Sequence, residues 1–261
     1  ALMTGFEARF GKGTTLKLET TFRCPPSLCK ISSTFVRKNP SQIAKQVRSP
    51  KADIVDAVRI VRVDEERFIR AAVERRLREI TQEAATQGKK ASVYLLARYQ
   101  KDRAFMPMAY DSQWAEVSFL TVHRSKGLEA DHVIVPRVTA ETLGFPSKIA
   151  DDPVLQLAMP SGEMFEFAEE RRLFYVALTR ARSSVTLITV QHMESSFISE
   201  LVKEQGLRVL NSDGTEGSAE LCPKCGKGFL RPRTSRFGPF LSCSTFPRCD
   251  YKKDGRRARR P

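Results

Sequence analysis

Two polar blocks decide the fold of this chain: Thr121-Val-His-Arg-Ser-Lys-Gly-Leu-Glu129 and Glu169-Glu-Arg-Arg-Leu-Phe-Tyr-Val-Ala-Leu-Thr-Arg-Ala-Arg182. The first is a glycine-containing turn that leads into the apolar run 133–135, a pattern that predicts polar side chains at the edge of a strand. The second has apolar residues at helical spacing and predicts an amphipathic helix with Arg180 on or near its polar side. Together the blocks bring cations and a carboxylate toward one cleft, a composition suited to phosphate and ribose recognition.

The remainder of the first 210 residues alternates between strand and helix patterns. The strand-like runs are 16–20, 53–63, 92–97 and 184–190. The helix-like runs are 26–39, 64–85 and 197–205. This order predicts an α/β fold in which a parallel sheet is covered by helices on both faces.

Charge and cysteine content set the end of the chain apart. The chain has 44 Lys and Arg against 30 Asp and Glu, a formal net charge of +14, and residues 222–261 are its most basic part. A polyanion is the natural partner of such a segment, although a basic face can also serve solubility alone. The chain begins with Ala, and it has no apolar run of about 18 residues. We therefore expect a soluble cytoplasmic protein without a membrane partner, and the start at Ala allows it to be the C-terminal piece of a longer one.

The two central blocks resemble the fifth and sixth conserved motifs of the superfamily 1, Rep/UvrD-like DNA helicases. The motor of that family is a pair of RecA-like domains with ATP between them. The resemblance therefore implies that residues 1–210 are a RecA-like second motor domain. Many of these helicases insert a large extra domain between the fourth and fifth motifs. The interval 24–120 leaves no room for that insertion, a compactness similar to the helicase IV type.

Thr21-Phe-Arg-Cys-Pro25 is similar to the fourth motif of the same family, in which an aromatic ring stacks on adenine and the following arginine reaches the terminal phosphate. Phe22 stands where the family more often has Tyr, a change that preserves stacking but removes any hydroxyl contact. By resemblance, Arg23 and Arg180 are the catalytic arginines that neutralise the transferring phosphoryl group. Gly127 and Glu129 complete the expected nucleotide site, with Glu129 at the ribose.

The fifth motif also implies a DNA side, on which Thr121 and His123 would lie. A single histidine is more often a structural residue than a functional one, so both interpretations of His123 stay open. The stretch Gly5-Phe-Glu-Ala-Arg-Phe-Gly-Lys-Gly-Thr14 resembles a phosphate-binding P-loop but has the wrong spacing, since Gly13 follows Lys12. The resemblance therefore places the P-loop, and the acidic pair that holds Mg²⁺ with ATP, in an upstream RecA-like domain of the same or a partner chain.

Four of the six cysteines cluster near the end of the chain, which favours a metal site over disulfides. Cys222-Pro-Lys-Cys225 is followed at a distance by Cys243 and Cys249, a spacing that allows a hairpin to bring four thiolates around Zn²⁺. A segment this small needs such a metal to be stable. The predicted organisation is a linker at 211–221, a four-Cys zinc ribbon at 222–253 and a basic tail at 254–261.

The segment from Cys222 to Tyr251 also resembles the C-terminal zinc fingers of bacterial topoisomerase I, which bind single strands. The resemblance implies DNA contacts from aromatic rings that can stack on bases and from arginines that can bind phosphates. These candidates are Phe237, Phe240, Phe246, Tyr251, Arg231, Arg233, Arg236 and Arg248. Some of the rings must instead pack the small core of the ribbon.

Taken together, the resemblances imply the C-terminal part of an ATP-dependent DNA helicase. It would move 3′ to 5′ on single-stranded DNA or at duplex/single-strand junctions, in DNA repair on the bacterial nucleoid. The alternative is a non-catalytic DNA-binding adaptor that keeps a RecA-like shell.

Overall fold

The computed structural model describes residues 10–254 apart from 12, 15, 17, 41, 43–46, 150–164, 218–220, 227, 237 and 244. The main sheet is built from β1 Val58–Val63, β2 Ala91–Ala97, β3 Ala115–Thr121, β4 Ala130–Val135, β5 Ala181–Val190, β6 Val209–Asn211 and β7 Glu216–Gly217. The spatial order is β3-β2-β4-β5-β1-β6-β7. Strands β1 to β6 are parallel, and the two-residue β7 pairs antiparallel with β6.

Helices cover both faces of this sheet, as the sequence predicts. The α-helices are α1 Pro26–Val36, α2 Ile69–Gln87, α3 Ala168–Leu178 and α4 Ser196–Gln205. Helices α1, α3 and α4 contribute to one hydrophobic core, and α2 contributes to the other. Strand β4 shows why both faces must be covered, because Val133 and Val135 point into the first core and Ile134 into the second.

Because β1 to β6 are parallel, the sheet has an N-terminal edge, where these strands begin, and a C-terminal edge, where they end. The connection 122–129 joins the two edges. Thr121 ends β3 level with Ala97 of β2, whereas β4 begins two residues before His132, which lies opposite Val93. The connection must therefore descend about six strand residues, roughly 20 Å. The only regular structure in this connection is a short 3₁₀ turn, His123–Ser125.

Several predicted boundaries are wrong. The first strand begins at Val58 instead of residue 53, and α2 begins at Ile69 after a 3₁₀ turn at Glu66–Phe68, with no side-chain cap. Phe68 lies within the run 64–85, where an amphipathic helix would point its apolar residues inward, but it is 40% exposed. In the predicted strand 16–20, the described residues form only an isolated bridge from Thr20. The P-loop-like stretch lies largely outside the described residues.

The end of the motif helix is also corrected. Helix α3 stops at Leu178, and β5 begins at Ala181, so Arg180 lies in the turn between them and not on the helix. The predicted linker contains regular structure as well, since β6, a turn and β7 form a hairpin that ends at Gly217. The domain bounds otherwise stay a prediction.

The C-terminal segment forms a separate antiparallel sheet, as expected for a ribbon. Its strands are β8 Leu230–Ser235, β9 Gly238–Cys243 and β10 Lys252–Asp254, with β9 in the centre. The four cysteines lie together in a small core with Leu230. Among the described residues, no helix is long and apolar enough to cross a membrane.

Candidate nucleotide, metal and nucleic-acid sites

Three of the predicted nucleotide residues meet at the N-terminal edge of the sheet. Arg23 precedes α1, Glu129 precedes β4, and Arg180 precedes β5. Arg23 Nε lies 2.6 Å from Glu129 Oε2, and Arg23 Nη1 donates to the carbonyl oxygen of Thr179 at 3.3 Å. Arg180 Nη1 donates to the carbonyl oxygen of Leu128, the neighbour of Glu129, at 3.2 Å. Residues more than 100 positions apart in sequence are thus brought into one cluster.

The electrostatics of this cluster favour a bound anion. The hydrogen bond from Arg23 holds the pKa of the Glu129 carboxyl below its ordinary value, so Glu129 is ionised at neutral pH. Burial, followed by repulsion from Arg23, lowers the pKa of Arg180. Among the described residues, Arg180 donates hydrogen bonds to uncharged oxygens of Val176, Leu128 and Thr179, so its positive charge is poorly compensated. A phosphate is the type of group that such a guanidinium binds well.

Phe22 and Arg23 are presented by a well-anchored backbone. Cys24, the next residue, is buried in the first core with 3% exposure. Lys51 Nζ donates to the carbonyl oxygens of Arg23 at 2.9 Å and Arg182 at 2.7 Å. The Phe22 side chain is 76% exposed, so its ring is available to stack on a planar ligand.

Gly127 acts on the cluster through the backbone. Its φ of +87° lies in the left-handed region, where a side chain would be strained. Nothing lies within 4 Å of the position that a Cβ would take, so conformation and not crowding requires glycine here. The turn presents the carbonyl oxygen of Leu128 to Arg180.

The sequence analysis did not assign three further members of this cluster. Arg182 Nη1 lies 3.5 Å from Glu129 Oε1, and Arg182 Nε lies 3.2 Å from Asp131 Oδ1. The sequence could have indicated Arg182 and Asp131, because Arg182 ends the second block and Asp131 lies two positions after Glu129. Lys51 carried none, since it stands in a segment without a recognisable pattern.

The predicted DNA residues lie at the opposite edge. Thr121 is half-buried at the C-terminal end of β3, and His123 begins the following 3₁₀ turn with an exposed side chain. Arg124 beside it is also exposed. This edge is roughly 20 Å by strand length from the cluster of Arg23, Glu129 and Arg180, and the connection 122–129 links the two.

The four ribbon cysteines have the geometry of a tetrahedral site. Their sulfur atoms all lie within 4.8 Å of one another. Cys222 Sγ is 3.8 Å from Cys249 Sγ, and Cys225 Sγ is 3.5 Å from Cys243 Sγ. Four thiolates at about 2.3 Å from Zn²⁺ would be about 3.8 Å apart, so these residues fit the ion. The predicted zinc ligands are therefore brought together, and the ribbon supports Zn²⁺ as a cofactor.

One face of the ribbon exposes rings and cations together. Lys252 Nζ lies 5.9 Å from the ring centre of Phe240, and the Arg233 guanidinium lies 5.9 Å from that of Phe246. Phe246 is 52% exposed. Tyr251, in contrast, packs against the cysteine core, so it is one of the rings that stabilise the module.

The other predicted ribbon contacts are placed differently. Arg236 is exposed, and Phe237 lies outside the described residues. Arg248 is 75% exposed and forms an ion pair with Glu166, which precedes α3. The Arg231 side chain lies outside the described part of the structure.

Two families match separate parts of the chain. Residues 106–192 match the UvrD-like helicase C-terminal domain, and residues 219–257 match the topoisomerase DNA-binding C4 zinc finger. DNA helicase IV of Escherichia coli K12 is 31% identical over 205 residues, which are 78% of this chain and 28% of that protein. A probable DNA helicase II homolog of Mycoplasma capricolum is 32% identical over 120 residues, 46% of this chain and 15% of that protein.

The zinc segment has its own relatives. DNA topoisomerase 1 of Rickettsia prowazekii is 40% identical over 40 residues, 15% of this chain and 5% of that protein. A solved structure described as the C-terminal domain of a possible DNA helicase from Lactobacillus plantarum WCFS1 aligns with a TM-score of 0.40 and 14% identity, over 67% of this chain and 90% of that one. The chain thus spans less than a third of the length of these curated relatives.

Proposed function

We propose that this chain, which carries a UvrD-like helicase C-terminal domain and a topoisomerase-type C4 zinc ribbon, is the C-terminal part of an ATP-dependent DNA helicase. It couples ATP hydrolysis to movement on single-stranded DNA, 3′ to 5′ by resemblance. The zinc ribbon adds DNA binding. We place the protein in the bacterial cytoplasm on the nucleoid, with a role in DNA repair.

The observation that carries this proposal is the convergence of Arg23, Arg180 and Glu129 at one edge of the sheet. A phosphoryl transfer needs positive charge that arrives when two domains close on the nucleotide. An upstream RecA-like domain, of the same or a partner chain, would supply the P-loop and the ligands of Mg²⁺. This chain would supply the arginines, with Phe22 stacked on the base.

The ion pair between Arg23 and Glu129 suggests how this half-site is held ready. Glu129 accepts the hydrogen bond of Arg23 Nε and so fixes the guanidinium. The terminal phosphate of ATP would compete with Glu129 for Arg23, and Glu129 would then be free to accept a hydrogen bond from a ribose hydroxyl. Arg182, 3.5 Å from the other carboxylate oxygen, would keep Glu129 ionised during the exchange.

The connection 122–129 offers the coupling between ATP and DNA. His123 is near one end of it and Glu129 at the other, on opposite edges of the sheet. A shift of Glu129 when the cleft closes would be transmitted over this short segment to the DNA side. Such a two-state element is what a translocating motor needs.

Substitution of Arg180 tests the proposal. In this chain joined to its upstream RecA-like half, Arg180→Ala is expected to lower DNA-stimulated ATP turnover by about 10³-fold or more, since arginines that stabilise the transition state contribute 10³–10⁵ in related systems. Binding of a single-stranded oligonucleotide should be largely unchanged. Steady-state ATP hydrolysis and fluorescence anisotropy measure the two quantities.

The matched control is Arg78→Ala, because Arg78 is exposed on α2 away from the cluster. The 261-residue chain by itself should show no stimulated turnover. More than about a tenth of normal turnover in Arg180→Ala would contradict the assignment of Arg180. A joined protein that binds DNA but does not hydrolyse ATP would favour the non-catalytic adaptor instead.

A further inference from the structure

The zinc ribbon is docked on the motor domain. Phe229, which precedes β8, is 2% exposed and belongs to the core formed by α1, α3 and α4. Leu221, which forms a bridge with Phe229, packs against the same core. His192 Nδ1 lies 3.2 Å from the carbonyl oxygen of Leu230, and Arg248 pairs with Glu166. An apolar anchor with polar contacts beside it fixes the position of the ribbon.

The contacts place the ribbon at the C-terminal edge of the sheet. His192 comes two positions after β5 ends, and Glu166 comes two positions before α3, which runs back toward the start of β5. His123, just past the end of β3, is at the same edge. Two strands lie between β3 and β5, so the strand ends are about 14 Å apart at about 4.8 Å per spacing.

On its ring-and-cation face, the docked ribbon leaves Arg233, Lys252 and Phe246 exposed and Phe240 half-buried. Arg233 lies opposite Phe240 in the register of β8 and β9, and Lys252 and Phe246 flank this pair. The anchor, Phe229, is not part of that face. A surface of this kind suits unpaired bases, because bases stack on rings only when they are not paired, while the cations bind phosphates.

We propose that one single strand of DNA lies across both modules, so that the ribbon is a fixed extension of the DNA track of the motor domain. The inference rests on the proposed function and adds the path of the strand to it. A strand on this path spans at least the roughly 14 Å between the ends of β3 and β5. The ribbon then moves with this motor domain and holds the strand that the motor domain advances.

The number of bound strands and their length tests this path. Fluorescein-labelled oligothymidylates of 4, 8, 12 and 16 nucleotides are titrated into the zinc-loaded chain at fixed low salt, since affinity depends strongly on salt. We expect one bound 12-mer per chain and at least tenfold tighter binding of the 12-mer than of the 4-mer. The gain arises because the second contact becomes intramolecular once the strand spans both modules.

Variants on the two modules locate the ends of the path. His123→Ala and Phe240→Ala should each lower the ratio of 12-mer affinity to 4-mer affinity at least fivefold. The zinc content of both variants should be unchanged. Tyr110→Ala is the control, because Tyr110 is an aromatic residue 38% exposed on the loop that leads to the N-terminal end of β3. It should bind all lengths like the unaltered chain.

Two bound 12-mers per chain, an affinity independent of length, or no binding of oligothymidylate would each overturn the shared path. So would a Phe240→Ala effect that is equal at every length. These measurements involve no hydrolysis. ATP turnover by the joined protein therefore succeeds or fails independently of them.

Discussion

At the scale of single residues, the buried His132 should make the stability of the chain depend on pH. It lies on β4 with Nδ1 2.8 Å from Ser184 Oγ. Burial, followed by repulsion from Arg76, lowers the pKa of His132 from 6.5 to about 4. The unfolded chain binds a proton near pH 6.5, whereas the folded chain does not until about pH 4. This contribution to stability is complete above pH 6.5 and is lost as the pH falls toward 4.

We therefore expect the free energy of unfolding to drop by up to about 3 kcal/mol between pH 6.5 and 4 from this residue. His132→Asn, which keeps a polar partner for Ser184, should be less stable at pH 7 but should have a flatter profile over that interval. Urea unfolding at several pH values measures both. Parallel profiles for the two proteins would show that His132 does not titrate in this way.

At the scale of elements, the sequence predicts buried strands better than boundaries. Runs such as 133–135 are apolar because both faces of a parallel sheet are covered, and periodicity shows this directly. The end of α3 is different. The amphipathic pattern continues to Arg182, but Ala181 must pair with Ala130 of β4, and strand pairing overrides the helical pattern. The stretch 211–217 has linker composition, yet β7 pairs with β6.

The cluster around Arg23 and Glu129 was likewise only partly predictable from the sequence. The motif resemblance supplied Arg23 and Glu129, which are 106 positions apart, because no local pattern joins them. Lys51 holds Arg23 and Arg182 by their carbonyl oxygens, a tertiary contact that composition and spacing do not encode. Cysteine spacing, in contrast, is itself the geometry of a metal site, so four ligands were predicted from sequence.

Arg171 joins three helices and yields a prediction at this scale. From α3, its guanidinium pairs with Glu200 of α4 at 2.6 Å and donates to the carbonyl oxygen of Phe35 of α1 at 2.9 Å. The two charged side chains are 7% and 11% exposed. Arg171→Leu would leave the buried Glu200 with only its longer 3.5 Å ion pair to Lys38, so we expect a loss of about 3 kcal/mol of unfolding free energy. Chemical denaturation measures it.

The control for Arg171 is Arg78→Leu, which makes the same change on the exposed face of α2. It should alter stability by no more than about 0.5 kcal/mol. Similar losses of unfolding free energy in both variants would mean that the contacts of Arg171 with α1 and α4 contribute little to stability.

At the scale of the whole molecule, the docked ribbon would make bound Zn²⁺ a stabiliser of the main α/β domain. Phe229 is buried in the core of that domain, while its neighbour Leu230 packs with the cysteines. Loss of Zn²⁺ should therefore release Phe229 from the core. Burial of such a side chain is worth about 1.5–3 kcal/mol, and each kcal/mol shifts the melting temperature of a domain this size by about 2–4 °C.

Trp114 allows this coupling to be measured. It is the single tryptophan of the chain and packs on the α2 side of the sheet, remote in the fold from the ribbon. We expect chelation of zinc to lower the melting temperature monitored by Trp114 fluorescence by roughly 5–10 °C. In Phe229→Ala that temperature should already be lower, and chelation should change it little. Phe246→Ala, an exposed ribbon variant, should retain the full zinc dependence. An unaltered chain that melts at the same temperature with and without zinc would show instead that the ribbon folds as an independent body.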